Sequence, residues 1–181
     1  MAIGFRAIRQ AVRMSAMAVL LAMSISPALA IQDGSSPGLA ITDSTGSRSG
    51  VFDAIVEPGG TATIPLQFRA GGDAPIAAES WIANATSAVN GGVLLSTREA
   101  VLEGPATWLD LEVGTITIEP DSPVDRPVTI QVPGNAEPGV YIAGIVIQAM
   151  QPVPIPDSDA AQVIRGTALV AIQVPGDIEA T

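Results

Sequence analysis

Two pairs of carboxylates have the residue types and the spacing that catalysis could use. Glu99 and Glu103 would share one face of a helix, and Asp110 and Glu112 would share one face of a strand. A glycosidase needs two carboxyls placed across a sugar. The chain has no His, Cys or Lys, so the usual general base, thiol nucleophile, Schiff-base amine and main zinc ligands are missing. We therefore expect no enzymatic activity, and a carboxylate-dependent small hydrolase is kept as an alternative.

Other acidic pairs fall in segments with loop composition. Asp121 and Asp125, or Asp157 and Asp159, could contribute to a calcium shell, which usually has six to eight oxygen ligands. Neither pair has the spacing of an EF-hand loop. Solvated loop acids explain them more simply, and we expect no metal site and no cofactor.

Aromatic residues are few, and they include the candidate ligand-binding residues. Trp81, Trp108 and Tyr141 are these candidates, because amphipathic aromatic rings serve both cores and interfaces. Sandwich domains often bury a Trp of a middle strand against the opposite sheet, which favours core packing for Trp81. Trp108 adjoins Leu109 and Leu111, which favours the same, and Tyr141 would have its hydroxyl at the rim. The ligand-binding residues are otherwise unknown from the sequence.

The elements that would position these residues are short strands. Residues 107–148 read TWLDLEVGTITIEPDSPVDRPVTIQVPGNAEPGVYIAGIVIQ, in which PVTIQVP alternates apolar and polar side chains with the period of a half-buried strand. A Pro138-Gly139 turn then leads to a nearly continuous apolar run over residues 140–147, which predicts a buried strand or a partner-facing surface. Further strands are predicted from residue 38 to residue 174. Their spacing, with turns rich in Gly and Pro, predicts an all-β, antiparallel two-sheet sandwich.

Three features of the sequence carry specific local predictions. Pro65 interrupts the alternating segment TATIPLQFR, and because it cannot donate to a ladder we expect an edge position or a bulge there. Residues 98–105 are the least periodic stretch, in which we expect one helical turn. Residues 150–161 are rich in proline and acids, which predicts an extended loop.

The first 30 residues have the pattern of a cleaved export signal. Arg6, Arg9 and Arg13 precede an apolar stretch, and Ala28-Leu29-Ala30 provides a small-x-small cleavage site after Ala30. The apolar stretch is shorter than the roughly 20 residues that span a bilayer. The predicted organisation is a signal peptide (1–30), a leader with a short first strand (31–50), the sandwich (51–174) and a flexible tail (175–181). This predicts a secreted or cell-envelope protein.

The charge balance narrows the class of partner. After residue 30 five arginines face all 18 acids, which gives a formal charge of −13. Nucleic acid and anionic lipid are poor partners for such a chain, because binding them depends on neutralising phosphates with Lys and Arg. Without cysteine there is no disulfide framework, so the hydrophobic core must supply the stability.

Several segments together resemble the peptidoglycan-binding, immunoglobulin-like domain of the WxL-interacting proteins of bacterial cell surfaces. The order of the segments carries the resemblance, which covers roughly residues 51–174. The segments are VEPGGT (56–61), NAT (84–86), NGGV (90–93), the passage from 108 to 120, PVTIQVP (127–133) and PGVYIAGI (138–145). Members of that family usually continue into a second domain and a membrane helix, and this sequence does not show them.

The resemblance implies an immunoglobulin-like sandwich that acts as a binding or scaffold domain at the bacterial cell surface. The implied partner is peptidoglycan or another surface protein, with no catalytic residues and no membrane insertion after cleavage of the signal. An alternative is a periplasmic chaperone or assembly module of the pilus type. Such a module would need a basic anchor for a partner's terminal carboxylate, for which Arg69 and Arg126 are the central candidates.

Overall fold

A computed structural model describes residues 37–48, 50–89, 91–155 and 159–176; the predicted signal and residues 177–181 lie outside them. Within these ranges the chain forms fourteen β-strands and one 3-10 helix, Gly104–Trp108. The strands are β1 (Gly38–Asp43), β2 (Val51–Ile55), β3 (Thr61–Ile64), β4 (Leu66–Gly71), β5 (Ile76–Ser87), β6 (Val93–Leu95), β7 (Leu109–Leu111), β8 (Gly114–Ile118), β9 (Val124–Asp125), β10 (Val128–Gln131), β11 (Gly139–Ala149), β12 (Val153–Pro154), β13 (Ala161–Gln162) and β14 (Arg165–Val174).

The large sheet has the order β2-β14-β11-β5-β8. Its pairings are antiparallel except that of β2 with β14, which is parallel. β8 pairs with the first residues of β5, and β6 pairs with its last residues, so both strands adjoin β5. β11 is the centre of the sheet, because it pairs with β14 along one edge and with β5 along the other.

The small sheet places β3 and β4 beside β9 and β10. β1 pairs with β4 on one side, and β7 pairs with β10 on the other. The segment β3–β4 pairs with the segment β9–β10 in one register, since Ile64 pairs with Val128 and Gln67 pairs with Asp125. This register is kept across the break between β3 and β4 and the break between β9 and β10. Pro65 therefore lies opposite Pro127.

The two prolines interrupt the sheet without removing a hydrogen bond between these strands. The Arg126 N–H donates to the Leu66 carbonyl at 2.8 Å, so the 66/126 pair is hydrogen-bonded. Hydrogen-bonded and non-hydrogen-bonded pairs alternate in antiparallel ladders, so at 65/127 the two nitrogens point away from each other. They point to where β1 and β7 end, at Asp43 and Leu111. Pro65 lies at the break between β3 and β4, where the β1 pairing has ended and β3 is an outer strand in the order β3-β10-β7, which agrees with the edge position expected for it.

The core lies between the inner faces of the two sheets. Alternate residues of each strand point into it, as the period of two requires. Its fully buried large side chains include Leu66, Phe68, Ile118, Val128, Ile130, Ile145, Ile147, Val170 and Ile172. The chain is thus an all-β, immunoglobulin-like antiparallel sandwich, which confirms the predicted fold class. β1 belongs to it, because Leu39 and Ile41 are part of the same core.

Three local features differ from the sequence prediction. The helical turn begins at Gly104 and is 3-10, so it follows most of residues 98–105. The acidic Pro-rich stretch contains a small ladder between β12 and β13, and β9 adds two residues to the small sheet. These elements are two residues long, too short to show a period in sequence. No helix of the described ranges has the length and hydropathy of a membrane span.

A substitution at Gly166 would test how closely β1 and β14 pack. A Cβ at this position would lie 2.8 Å from the Leu39 carbonyl oxygen and 3.1 Å from Cγ2 of Ile147. We expect Gly166→Ala to lower the free energy of unfolding by about 1–3 kcal/mol, because a backbone atom must move to admit the methyl group. Chemical denaturation measures this change.

Gly134→Ala is the matched control. A Cβ there would meet nothing within 4 Å, and Gly134 does not have a positive φ. We expect little change in stability for this variant. Equal effects of the two substitutions would contradict close packing at Gly166.

Candidate functional sites

The carboxylate pairs do not form a catalytic arrangement. Glu99 and Glu103 precede the 3-10 helix, so the helix face that would join them is not formed. Glu99 pairs with Arg98, which also pairs with Glu79. The pKa of Glu99 is lowered, first by its own backbone N–H and then by the Thr97 hydroxyl, which is the wrong direction for a general acid.

One residue of the second pair and one of the loop acids considered as calcium ligands each contact another side chain. Glu112 pairs with Arg126 at 3.3 Å, and Asp125 accepts a hydrogen bond from Gln67 Nε2 at 2.9 Å. Asp157 lies outside the described residues. Within the described residues no group of three or more acidic, His or Cys side chains is placed to hold a metal ion.

Trp81 is buried on the outer face of the large sheet. Its exposed fraction is 8%, and it packs with Ala83, Val146 and Leu95 in a cluster separate from the main core. Its Nε1–H donates to the Ser96 carbonyl at 3.3 Å. The expected packing against the opposite sheet is thus not found, because Ile76 and Ala78 set the phase of β5 and Trp81 falls on the other face.

The end of β6 and the residues after it cover Trp81. Leu95 rests on Gly144, where a Cβ would come within 2.4 Å of Leu95 Cδ2. Asn84 holds the following residues, since its Nδ2 donates to the Val101 carbonyl at 2.8 Å and its Oδ1 accepts from the Glu103 N–H at 2.9 Å. The guanidinium of Arg165 lies 5.4 Å from the centre of the Trp81 ring, within cation-π range. Trp81 therefore stabilises the segment that lies over it.

Trp108 and Tyr141 come together at one end of the sandwich. Their ring centroids are 4.7 Å apart and their planes are tilted by 58°. Both are half-buried and pack against the main core. The Tyr141 hydroxyl donates to the Glu137 carbonyl at 2.8 Å, which ties the start of β11 to the turn before it, as in the tyrosine corner of immunoglobulin-like domains. The Trp108–Tyr141 pair covers one end of the core, and the exposed edges of the two rings are the part that a ligand could reach.

An exposed apolar patch lies on the outer face of the large sheet. We define it as Ile55 of β2, Val140 and Ile142 of β11, and Ala171 of β14. Ile55 is 71% exposed, Val140 69% and Ile142 37%. The register brings them into neighbouring rows, because Ile142 pairs with Ala171, and Gln173 lies between Val140 and Ile55. Sequence analysis noted the apolar run but named none of these as site residues.

A polar cleft lies at the small sheet. We call it the arginine cleft, with a volume of about 480 Å³. Its lining residues are Arg48, Arg69, Ala70, Gly71, Gly72, Asp73, Pro120, Asp121, Ser122 and Pro123. Arg69 Nε donates to Thr42 Oγ1 at 3.2 Å, and its Nη2 donates to Gln67 Oε1 at 2.9 Å. Arg126, the other candidate anchor of the pilus-type alternative, pairs with Glu112.

Asp43 orders the loop that carries Arg48. Its Oδ1 accepts hydrogen bonds from the Thr45 N–H at 2.8 Å, the Thr45 hydroxyl at 2.6 Å and the Ser47 N–H at 2.9 Å. The Thr45 hydroxyl and then the Ser47 N–H lower the pKa of Asp43 below 3.8, because they favour the charged carboxylate. The loop also brings Gly46, with φ of +83°, against the Arg69 guanidinium.

Comparisons with known proteins concern the fold. No family model matches the chain, and no curated protein is similar to it in sequence. A PapD-like domain of human CEP192 is 14% identical, with a TM-score of 0.46, over 79% of this chain and 89% of that domain. The seventh ScaB type I cohesin of Pseudobacteroides cellulosolvens is 9% identical, with a TM-score of 0.33, over 80% of this chain and 97% of the cohesin.

An enzyme also contains a similar region. A family 123 glycoside hydrolase of Clostridium perfringens is 10% identical, with a TM-score of 0.45, over 80% of this chain. The chain spans 28% of that hydrolase. The structural neighbours are thus β-sandwich domains of several kinds, and they show no particular activity for this chain.

Removing the Tyr141 hydroxyl should weaken the corner and leave the ring contact in place. We expect Tyr141→Phe to lower the free energy of unfolding by about 0.5–1.5 kcal/mol, the usual net worth of a hydrogen bond. Chemical denaturation checks this. Thr63→Val is a control, since the Thr63 hydroxyl makes only a 3.5 Å exposed contact with Thr129. A change in Tyr141→Phe no larger than in the control would contradict the role of the hydroxyl.

The Asp43 loop should respond to acid. Because the folded pKa of Asp43 is below 3.8, its hydrogen bonds contribute fully above that value and are lost as pH falls through the folded pKa. We expect Asp43→Ala to lower the thermal midpoint at pH 7, and the difference from the unsubstituted chain to shrink below pH 3.8. Thermal unfolding from pH 7 to about pH 2 measures this. A difference that stays constant over this range would be inconsistent with the carboxylate as the acceptor.

Proposed function

We propose that the chain is an exported, non-enzymatic binding domain of the bacterial cell surface that engages another surface protein through the apolar patch. The exposure of Ile55, Val140 and Ile142 on neighbouring strands is the observation that carries this proposal. Clustered apolar side chains on a soluble domain, rimmed by polar ones, are typical of interaction surfaces. Asp53 and Gln173 provide polar neighbours on the same face.

The remainder of β11 supports a distinct role for the patch. Val146 and Gly144 lie on the same face as Val140 and Ile142, and they are covered by Trp81 and Leu95. The chain thus covers one half of this apolar face with its own segment and leaves the other half to solvent. The uncovered half is the surface that a partner would complete.

The composition supports the rest of the proposal. Residues 1–30 would be the export signal, followed by a leader, the sandwich and a tail from residue 175. The absence of His, Cys and Lys and the ion pairs of Glu99 and Glu112 favour a non-catalytic domain. The resemblance to WxL-interacting proteins favours the cell surface, with peptidoglycan as the other ligand class.

Binding to cell envelopes tests the patch. We expect the chain from residue 31 to sediment with intact envelopes, and Val140→Asp with Ile142→Asp to weaken this binding about tenfold or more, because a buried charge opposes an apolar contact. Val101→Asp is the matched control, since Val101 is 77% exposed outside the patch. Circular dichroism establishes that each variant is folded.

Two treatments of the envelopes separate the partner classes. Protease treatment should abolish binding if the partner is a protein, and protein-free sacculi should not sediment the chain. Binding to bare sacculi at full strength would assign peptidoglycan as the ligand instead. Full binding by the patch double variant would overturn the role of the patch.

A further inference from the structure

The distribution of arginines points to a second binding site. Arg98 and Arg126 form the ion pairs of the described residues, whereas Arg48, Arg69 and Arg165 pair with no described carboxylate. Two of the three line the same cleft. We propose that the arginine cleft binds the free carboxylate of a short peptide.

Arg69 is held in place for such a ligand. Its bonds to Thr42 and Gln67 use two of the five donors of a guanidinium, and they fix the plane of the group. Thr42 is itself fully buried, so its hydroxyl is a rigid support. The remaining donors match a carboxylate, which guanidinium groups bind through two parallel hydrogen bonds. A fixed donor group binds with a smaller loss of side-chain entropy.

The other charges of the cleft select the kind of anion. Asp73 and Asp121 line it together with Arg48 and Arg69, so its charged side chains are formally neutral in sum. A dianionic phosphate would be repelled by the two aspartates. The C-terminus of a peptide fits better, because its carboxylate carries one negative charge and its N–H groups can donate hydrogen bonds to the aspartates.

The size and position of the cleft also favour a short peptide. A volume of about 480 Å³ is within the range of small-ligand sites. Arg69 belongs to β4 of the small sheet, where its neighbour Phe68 points into the core. The apolar patch belongs to the large sheet, so the proposal does not rest on the proposed function.

Titration with defined dipeptides tests this site in the chain from residue 31. N-acetyl-L-Ala-L-Ala and N-acetyl-L-Ala-D-Ala, as free acids, are followed by NMR shifts of residues 69–73 and 120–123. We expect saturable binding of at least one free acid and at least tenfold weaker binding of its C-terminal amide, because a hydrogen bond to a charged group is worth more than a neutral one. A preference for the D-form indicates a peptidoglycan stem as the source, and a preference for the L-form indicates a protein C-terminus.

Two arginine variants and a control complete the experiment. Arg48→Gln and Arg69→Lys should each weaken binding of the preferred free acid about tenfold. Arg165→Gln is the matched control, because Arg165 also lacks a described carboxylate partner but bonds to Gln148 on the large sheet. Arg48→Gln keeps the test valid if Arg69→Lys disturbs the loop at Gly46.

Several results would overturn the proposal. If the shifts of the cleft residues do not saturate with either free acid, the cleft does not bind these peptides. If the C-terminal amide binds as tightly as the free acid, the carboxylate is not what the cleft recognises. An equal loss in Arg165→Gln would show a general charge effect. Tighter binding of inorganic phosphate than of the dipeptides would assign a different anion to the cleft.

Discussion

Burial of apolar side chains holds the two sheets together. The chain has no cysteine, so no covalent link joins the layers, and the described ion pairs lie at the surface. Each large apolar side chain that leaves water contributes about 1.5–3 kcal/mol. β11 is central to this arrangement, because Ile145 and Ile147 fill the core while both edges of the strand are paired. This core positions both the apolar patch and the arginine cleft.

A single strand therefore has three environments. Its inward residues meet the small sheet, its outward Val146 is covered by Trp81, and its outward Val140 and Ile142 face solvent. The cover depends on a glycine, because Gly144 gives Leu95 room to lie against the sheet. The same outer face is thus partly core and partly surface, although its residues are equally apolar.

The strand pattern was predictable because alternation and turn residues are local properties. The fold class, the long strands and the interruption at Pro65 follow from them. The exposed patch was not predictable in this way, since Val140 and Val146 are identical in type and phase. Which of them is covered depends on residues 93–97, and hydropathy does not reveal that contact. The arginine cleft was not predictable from local patterns, because Arg48 comes to line the same cleft as Arg69 only through the loop that Asp43 orders.

The opposed prolines have a consequence for how the small sheet finds its register. At 65 and 127 both ring nitrogens face away from the paired strand, so the native alignment loses nothing. A slip by one residue would exchange bonded and non-bonded positions and turn the apolar side chains to the wrong face. A ring nitrogen would then stand where a donor is required, and it has none to offer. The two prolines act together as a lock on the alignment, one that discriminates against the wrong pairing rather than strengthening the right one.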